Sequence, residues 1–341
     1  MIFIDNNGVT DPTLNLALEE YCLRNFEGNK DYLLFYINEP SIIIGRNQNT
    51  LEEINYEYVN QNGIHVVRRI SGGGTVYHDF GNLNFSFMTD YSFESLNNFE
   101  KFTAPVIKVL NNLGVEAELK GRNDIVVNDR KISGNAQFSS GKRMFSHGTL
   151  LYDSKLSEVA NALNVRMSKI ESKGHKSVRS RVANISEFIT NKVDIDTFKS
   201  LILKGLYDER EDFETYRLTE EQWEGVKKLR EDKYATWDWN YGHSPKFNIK
   251  RARRFQIGEI DLRINVEKGN ITDFKVYGDF FGKDPIEDFE KLFINQKYDL
   301  QPIADIVNSL QVNDYFGNID KSDLIELIYG ADEDANPSKI I

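Results

Sequence analysis

The run Arg68-Arg69-Ile70-Ser71-Gly72-Gly73-Gly74-Thr75-Val76-Tyr77-His78-Asp79 sets three consecutive glycines and a pair of arginines between two β-rich stretches. Glycine lets backbone N–H groups close on a phosphate or carboxylate, and guanidinium groups beside them add positive charge. A hairpin connection with a solvated arginine pair would use the same residues, so this spacing alone leaves both readings open. Two familiar nucleotide loops are excluded: no G-x-G-x-x-G is present, and Gly141-Lys142-Arg143 lacks the upstream glycine and the Ser/Thr of a Walker A loop.

A second group spans Gly121-Arg122-Asn123-Asp124 through Arg130-Lys131-Ile132-Ser133-Gly134-Asn135. It reads as a hairpin with Lys131 just past the turn, followed by small residues that leave room for a ligand against the backbone. A surface lysine at a β-turn is the alternative. Asp124 with Asn123 offers oxygen ligands of the kind magnesium takes, although a single carboxylate makes a weak site by itself. His147-Gly148-Thr149 reads as a strand packed under such a site rather than as a catalytic histidine. The third group, Lys173-Gly174-His175-Lys176-Ser177-Val178-Arg179-Ser180-Arg181, is a local positive island, suited to a solvated loop or to a flap closing over an anionic intermediate. Lys250 to Arg254 reads as ordinary solvated charge.

The elements that must position these groups are legible in outline. Asp11-Pro12 caps an amphipathic helix over 11–27, with Leu14, Leu18, Tyr21 and Cys22 at helical spacing. Strand-like runs follow at 32–37, 41–44, 64–67, the alternating Leu83/Phe85/Phe87, 124–127 and 144–151, with Asn128-Asp129 as a tight turn. Helices are predicted at 99–113, closed by Gly114, and at 154–163. From 194 to 230 the pattern turns helical, with Thr219 and Gln222 spaced as a capping box. A Trp237-to-Tyr241 stretch leads to a turn at Pro245, where a domain boundary is placed. Beyond it Ile260/Leu262/Ile264/Val266 and Phe274/Val276 form a hairpin, covered by helices near 285–296, 302–310 and 321–329. No internal repeat is present.

Composition narrows the class. At 341 residues the chain has room for about two domains. Cys22 is its one cysteine, so no disulfide forms within the chain and cysteine-rich zinc sites are excluded. The five histidines show no ligand-like spacing. A net charge of −11 argues against a nucleic-acid partner. No apolar run approaches the roughly 20 residues of a membrane span, and no signal peptide is evident, so a cytoplasmic, membrane-free protein is expected.

Together and in this order the motifs resemble the lipoate–protein ligase family, within the biotin/lipoate ligase superfamily. The resemblance rests on R-R-x-S-G-G-G-x-V-Y-H-D-x-G-N at 68–82, G-R-N-D at 121–124 with D-R-K-x-S-G at 129–134, H-G-T-L-L at 147–151 and K-G-x-x-S-V-R-S-R at 173–181. It extends to Ile44-Gly45-Arg46-Asn47-Gln48-Asn49, Trp237 to Gly242 and Val266 to Ile271, so nearly the whole chain is covered. The resemblance implies an α/β (α+β) fold: a class II synthetase/biotinyl-ligase-like mixed-sheet domain over 1–246 that binds lipoate and ATP, then a small α+β accessory domain over 247–341. It implies ATP, lipoate and Mg2+ as reactants, a lipoyl-AMP intermediate, and transfer to a lysine of lipoyl domains of 2-oxoacid dehydrogenase E2 subunits or of the glycine-cleavage H protein. Residue by residue, Arg69, Ser71, Gly73, Gly74, Thr75, Val76, Tyr77, Asn123, Ser177 and Arg179 correspond to nucleotide or adenylate contacts. Lys131 corresponds to the residue touching both acyl group and phosphate, and Asp124 to a metal ligand. Three other readings are a lipoyl or octanoyl transferase with little activation of free acid, a thioester route through Cys22, and a scaffold without catalysis.

Overall fold

A computed structural model describes residues 1–26, 28–163, 182–210, 212–241, 249–267 and 269–329. The chain divides into two compact units, one comprising 1–44, 50–71 and 75–242, the other 45–49, 72–74 and 243–341.

The first unit contains strands β1 (Ile2–Asp5), β2 (Tyr32–Tyr36), β3 (Ser41–Ile44), β4 (His65–Arg68), β5 (Val76–His78), β6 (Asn82–Asp90), β7 (Glu118–Lys120), β8 (Asp124–Val127), β9 (Arg130–Ser139), β10 (Arg143–Leu151) and β11 (Thr215–Arg217). Its helices are α1 (Pro12–Asn25), α2 (Thr50–Glu53), α3 (Tyr56–Gln61), α4 (Phe99–Asn112), α5 (Leu156–Ala162), α6 (Ile195–Leu206), α7 (Glu220–Leu229) and α8 (Trp237–Asn240). Eight strands form a mixed sheet in the order β11-β1-β2-β6-β10-β9-β8-β7, and β4-β3-β5 form a second, smaller sheet. Strands β11, β1 and β2 run parallel; the remaining neighbours are antiparallel.

The period-2 pattern of β6 explains the layering. Leu83, Phe85 and Phe87 face one way, into a core completed by Phe102, Val106 and Leu110 of α4 and by Phe198 and Ile202 of α6. The intervening Asn84, Ser86 and Met88 face the other way, where Met88 joins Ile4, Leu34, Phe145 and the apolar stripe of α1, with Ile43 and Val67 of the small sheet. The outer side of the small sheet packs Ile42, Ile44 and Tyr77 against Val59 of α3 and Ala162 of α5. Helix α1 starts where expected: Asp11 Oδ1 accepts from Thr13 N at 2.8 Å, with Pro12 in the first turn. Thr219 and Gln222 form the expected capping box at α7.

Several assignments need correction. Within the stretch read as helical, Thr215–Arg217 adds the parallel edge strand β11 beside β1, and neither of these three- and four-residue strands is long enough to show a period. Trp237–Asn240 forms a helical turn capped by Thr236, and the turn expected at Pro245 lies outside the described residues. In the second unit Lys250 to Arg254 lies within β12 (Ile249–Phe255), which pairs along its length with β13 (Gly258–Glu267). Lys250, Arg253 and Arg254 are exposed there and Arg251 is half-buried, so the solvated charge expected of them sits on an edge strand. Strand β14 (Asn270–Gly278) completes an antiparallel three-stranded sheet, covered by α9 (Ile286–Lys291), α10 (Leu300–Ser309), α11 (Val312–Phe316) and α12 (Lys321–Tyr329). Helix α9 stops earlier than expected, and α10 is followed by a separate short helix.

Candidate active site

The floor of the candidate site is the α1 side of the large sheet. Turn residues Asn128 and Asp129 both have positive φ (49° and 63°), the backbone of a type I′ hairpin, and send β9 back along β8. A bulge follows: Val126 pairs with Lys131 and Ile125 with Ser133, leaving Ile132 extra. Because of that extra residue Lys131 and Gly134, three positions apart, lie on the same face. The Lys131 chain folds over Gly134, where a Cβ would meet its Nζ at 2.9 Å, and reaches Asp124 Oδ1 at 2.7 Å. The space that small residues were expected to leave for a ligand is thus occupied by the lysine's own stem.

From Lys131 a row of residues crosses the sheet. Asp124 pairs with Gly134, Gly134 N donates to Thr149 Oγ1 at 3.1 Å, Thr149 pairs with Asn84, and Asn84 with Tyr36. The next row holds Ala136, His147 and Ser86. The polar half of the β6 alternation is therefore buried rather than meeting solvent. Asn123 spends its amide elsewhere: Nδ2 donates to Asn135 O at 2.5 Å and its carbonyl accepts from Asn135 Nδ2 at 3.0 Å, which ties the start of β8 to β9.

Over the His147 row stands a buried hydrogen-bonded chain. Glu19, from α1, lies 3.0 Å from His147 Nδ1, and His147 Nε2 lies 2.8 Å from Ser71 Oγ. A carboxylate only accepts, so Nδ1 carries a proton. Ser71 Oγ also accepts from Arg69 Nε at 3.0 Å, while Arg69 Nη1 donates to Ile43 O at 3.1 Å. The order serine, histidine, carboxylate is that of a hydrolase triad. Here the hydroxyl oxygen is held by a guanidinium and fully buried, which makes it a fixed polar contact rather than a nucleophile. Burial pushes the Arg69 guanidinium down to about 10. His78, on β5, is pushed down to about 3, first by burial and then by the charges of Arg69 and His147.

This gives a pH prediction. His78 binds a proton more weakly when folded than in the unfolded chain, so stability present above pH 6.5 is lost as pH falls toward 3, by up to about 5 kcal/mol. In His78→Gln, chemical unfolding followed between pH 7 and 4 should show a shallower decline than wild type; parallel curves would refute the assignment.

The structure separates the arginine pair. Arg68, expected to lend charge to the glycine loop, is structural: its Nε donates to Trp239 O at 2.9 Å and Nη2 to Thr50 Oγ1 at 2.7 Å, while Trp239 Nε1 returns a bond to Arg68 O at 2.7 Å. Thr75 Oγ1 donates to Glu53 Oε2 at 3.3 Å. Val76 packs toward the α1 core, and the Tyr77 ring belongs to the outer core of the small sheet, so the two side chains face opposite ways. In the second unit, Gly73 has φ +92°, and a Cβ on Gly45 would sit 1.9 Å from Gly73 O, which requires glycine at 45. Gly74 has open space around it. Ser177 and Arg179, with the whole 173–181 island, lie outside the described residues.

Sequence reasoning missed Glu19 and the use of His78 and His147. A signal for Glu19 was present: Asn15, Glu19 and Cys22 share one stripe of α1 at helical spacing, and two polar residues on a buried stripe need a partner. Among the described residues no three His, Cys, Asp or Glu gather to hold a metal. Asp124, expected as a metal ligand, is instead paired with Lys131 Nζ at 2.7 Å. Among the described residues no helix is long and apolar enough to cross a membrane.

Cys22 is buried in the α1 core, and burial together with the Glu19 charge pushes its thiol well above the usual range, which opposes a thiolate. On the adenylate route that the resemblance implies, Cys22→Ser should leave activity nearly unchanged and cost about 1 kcal/mol of stability. Loss of acyl transfer in a gel-shift assay by a folded variant would restore the thioester route.

Known proteins are similar to this chain along nearly its whole length. Residues 11–207 match the Lipoyl protein ligase A/B catalytic domain, and 244–328 match the Bacterial lipoate protein ligase C-terminus. The lipoate-protein ligase LplJ of Bacillus subtilis (strain 168) is 54% identical over 331 residues, covering 96% of this chain and 100% of the relative. Among solved structures, P. falciparum LipL1 in complex with lipoate superposes with TM-score 0.77 at 27% identity, covering 96% of this chain and 97% of that one. A bi-partite lipoate protein ligase of Thermoplasma acidophilum, described with its E2 lipoyl domain, gives 0.63 at 31% identity over 73% and 98%. A lipoate-protein ligase A bound with ATP gives 0.59 at 30% over 71% and 97%. With two matching family models in sequence order and more than half of its residues shared with a full-length ligase, the chain belongs to the lipoate–protein ligase family.

Proposed function

We propose that this enzyme joins lipoate to protein in two steps on the Lys131 face. A lipoate carboxylate oxygen attacks the α-phosphorus of ATP and pyrophosphate leaves, giving lipoyl-AMP. A neutral acceptor lysine then attacks the acyl carbon, forming an amide and releasing AMP. The observation that carries this reading is the placement of Lys131, aimed by a bulge across Gly134 and held by Asp124. Both steps build negative charge between acyl oxygen and phosphate, and a fixed ammonium beside that position stabilises it. Without substrate Asp124 holds the cation in place; an incoming carboxylate and phosphate compete for it. Bound magnesium would screen the triphosphate, and Asp124 would steady it. Arg69, Ser71 and the loop at 73–77 are assigned to the acyl adenylate, as are Ser177 and Arg179.

The reading extends to domain roles and partners. Residues 1–246 carry the chemistry and 247–341 the accessory function. The acceptors are lipoyl domains of E2 subunits, supported by the archaeal relative named with such a domain, and the glycine-cleavage H protein. A single cysteine suits a cytoplasmic location. The test is lipoate-dependent exchange of labelled pyrophosphate into ATP. Exchange together with acceptor labelling supports the full ligase; no exchange, with transfer from supplied lipoyl-AMP intact, reduces it to a transferase.

A further inference from the structure

Behind β2 a file of buried amides ends at an unpaired nitrogen. Asn6 Oδ1 accepts from Gly8 N at 3.2 Å, and Asn6 Nδ2 donates to Val9 O at 3.0 Å and to Asn15 Oδ1 at 3.1 Å. Asn15 Nδ2 donates to Val9 O at 2.9 Å and to Asn38 Oδ1 at 2.9 Å, and Asn38 Nδ2 stands 3.0 Å from His78 Nδ1. Two backbone groups, Gly8 N–H and the Val9 carbonyl, fix which end of the first two amides is oxygen, and that choice propagates along the file. Asn38 thus turns an NH2 group toward His78, so Nδ1 accepts and the ring proton sits on Nε2. Nε2 is buried with no partner among the described residues. A buried donor left open at the end of an otherwise satisfied network calls for a partner that arrives from outside.

What arrives follows from position, and this step rests on the functional reading above. Asn38 lies two residues beyond Tyr36, the far end of the row that begins at Gly134 under the Lys131 ammonium. Gly134 and Tyr36 are separated by three strand spacings, ~14 Å. With the substrate carboxyl at Lys131, only the distal end of the acyl chain comes near His78. In lipoate that end carries the dithiolane sulfurs, weak acceptors; in octanoate it carries none.

We propose that Asn6, Asn15 and Asn38 are positioning residues that hold His78 as a fixed Nε2–H donor to the dithiolane, so that the site prefers lipoate over octanoate. Burial beside Arg69 and His147 keeps the ring uncharged and the proton in place.

Proton–nitrogen correlation spectra of the full chain with isotope-labelled histidine read the tautomer, and calorimetry reads lipoate and octanoate affinity. Wild type should show His78 as Nε2–H. Asn38→Asp presents a carboxylate that can only accept, moves the proton to Nδ1, and should lower the lipoate-to-octanoate affinity ratio about fivefold. A wild-type Nδ1–H signal overturns the proposal. So does a swapped tautomer with an unchanged ratio, or an equal loss for both acids, which would put the contact at the carboxyl end. If Asn38→Asp does not fold, the wild-type spectrum still decides the tautomer, and His78→Phe decides the ratio by the same criterion. Lipoate that fails to bind wild type overturns the functional reading together with the dithiolane contact; lipoate that binds wild type, with a ratio unmoved in the variants, overturns this proposal alone.

Discussion

Lys131→Ala should lower the rate of lipoate-dependent pyrophosphate exchange by on the order of 10²–10³-fold, the size of effect seen when one preorganised donor to a developing charge is removed. The protein should remain folded. Lys131 is about one-third exposed, and its pair with Asp124 at 2.7 Å belongs to the solvent-screened kind that contributes at most about 1 kcal/mol. The two effects therefore separate: thermal unfolding stays near wild type while the chemistry fails. Lys131→Arg keeps the charge but carries a planar fork on a stem that must pass over Gly134, so partial activity is expected. Single-turnover formation of lipoyl-AMP, measured by quench, checks both variants. Near-normal adenylation by Lys131→Ala would remove the residue from its assigned role.

What the sequence displayed of this site, and what it hid, follows from how local each device is. The Asp11 cap, the Asn128-Asp129 turn and the Leu83/Phe85/Phe87 alternation are short-range patterns, and each element appears as read. The placement of Lys131 beyond a hairpin was legible for the same reason. The bulge at Ile132 was not, because it is a mismatch between two strands and has no period in one of them. Nothing local marks Asn84 and Ser86 as buried; they are covered because the small sheet and α1 pack on that face, a fact of tertiary packing. Arg68 and Arg69 are neighbours in sequence with opposite fates, one tied to Trp239 and Thr50, the other turned under Ser71. Nothing in the dipeptide distinguishes them. Strand β12 was hidden by its charge, since Lys250, Arg251, Arg253 and Arg254 on an edge carry little apolar signal.

Glu19→Leu should be the most damaging single change on α1. Glu19 and His147 are both nearly inaccessible, and Glu19 is the acceptor that orients the imidazole toward Ser71. Removing it leaves the Nδ1–H of His147 buried without a partner and frees the ring to turn, so Ser71 Oγ loses one of its two fixed neighbours. Breaking one side of a buried pair costs about 3–5 kcal/mol. In a chain of this size the loss corresponds to a fall in Tm of about 4–7 °C. Glu19→Gln should recover most of that stability, because its amide oxygen can still accept from Nδ1–H. The pair of variants then isolates position from charge: if the Gln form matches wild type in KM for lipoate while the Leu form does not, Glu19 acts by orienting His147. Equal loss in both would show that its negative charge, and not its hydrogen bond, sustains the site, while a Leu form as stable as wild type would dissolve the buried chain altogether.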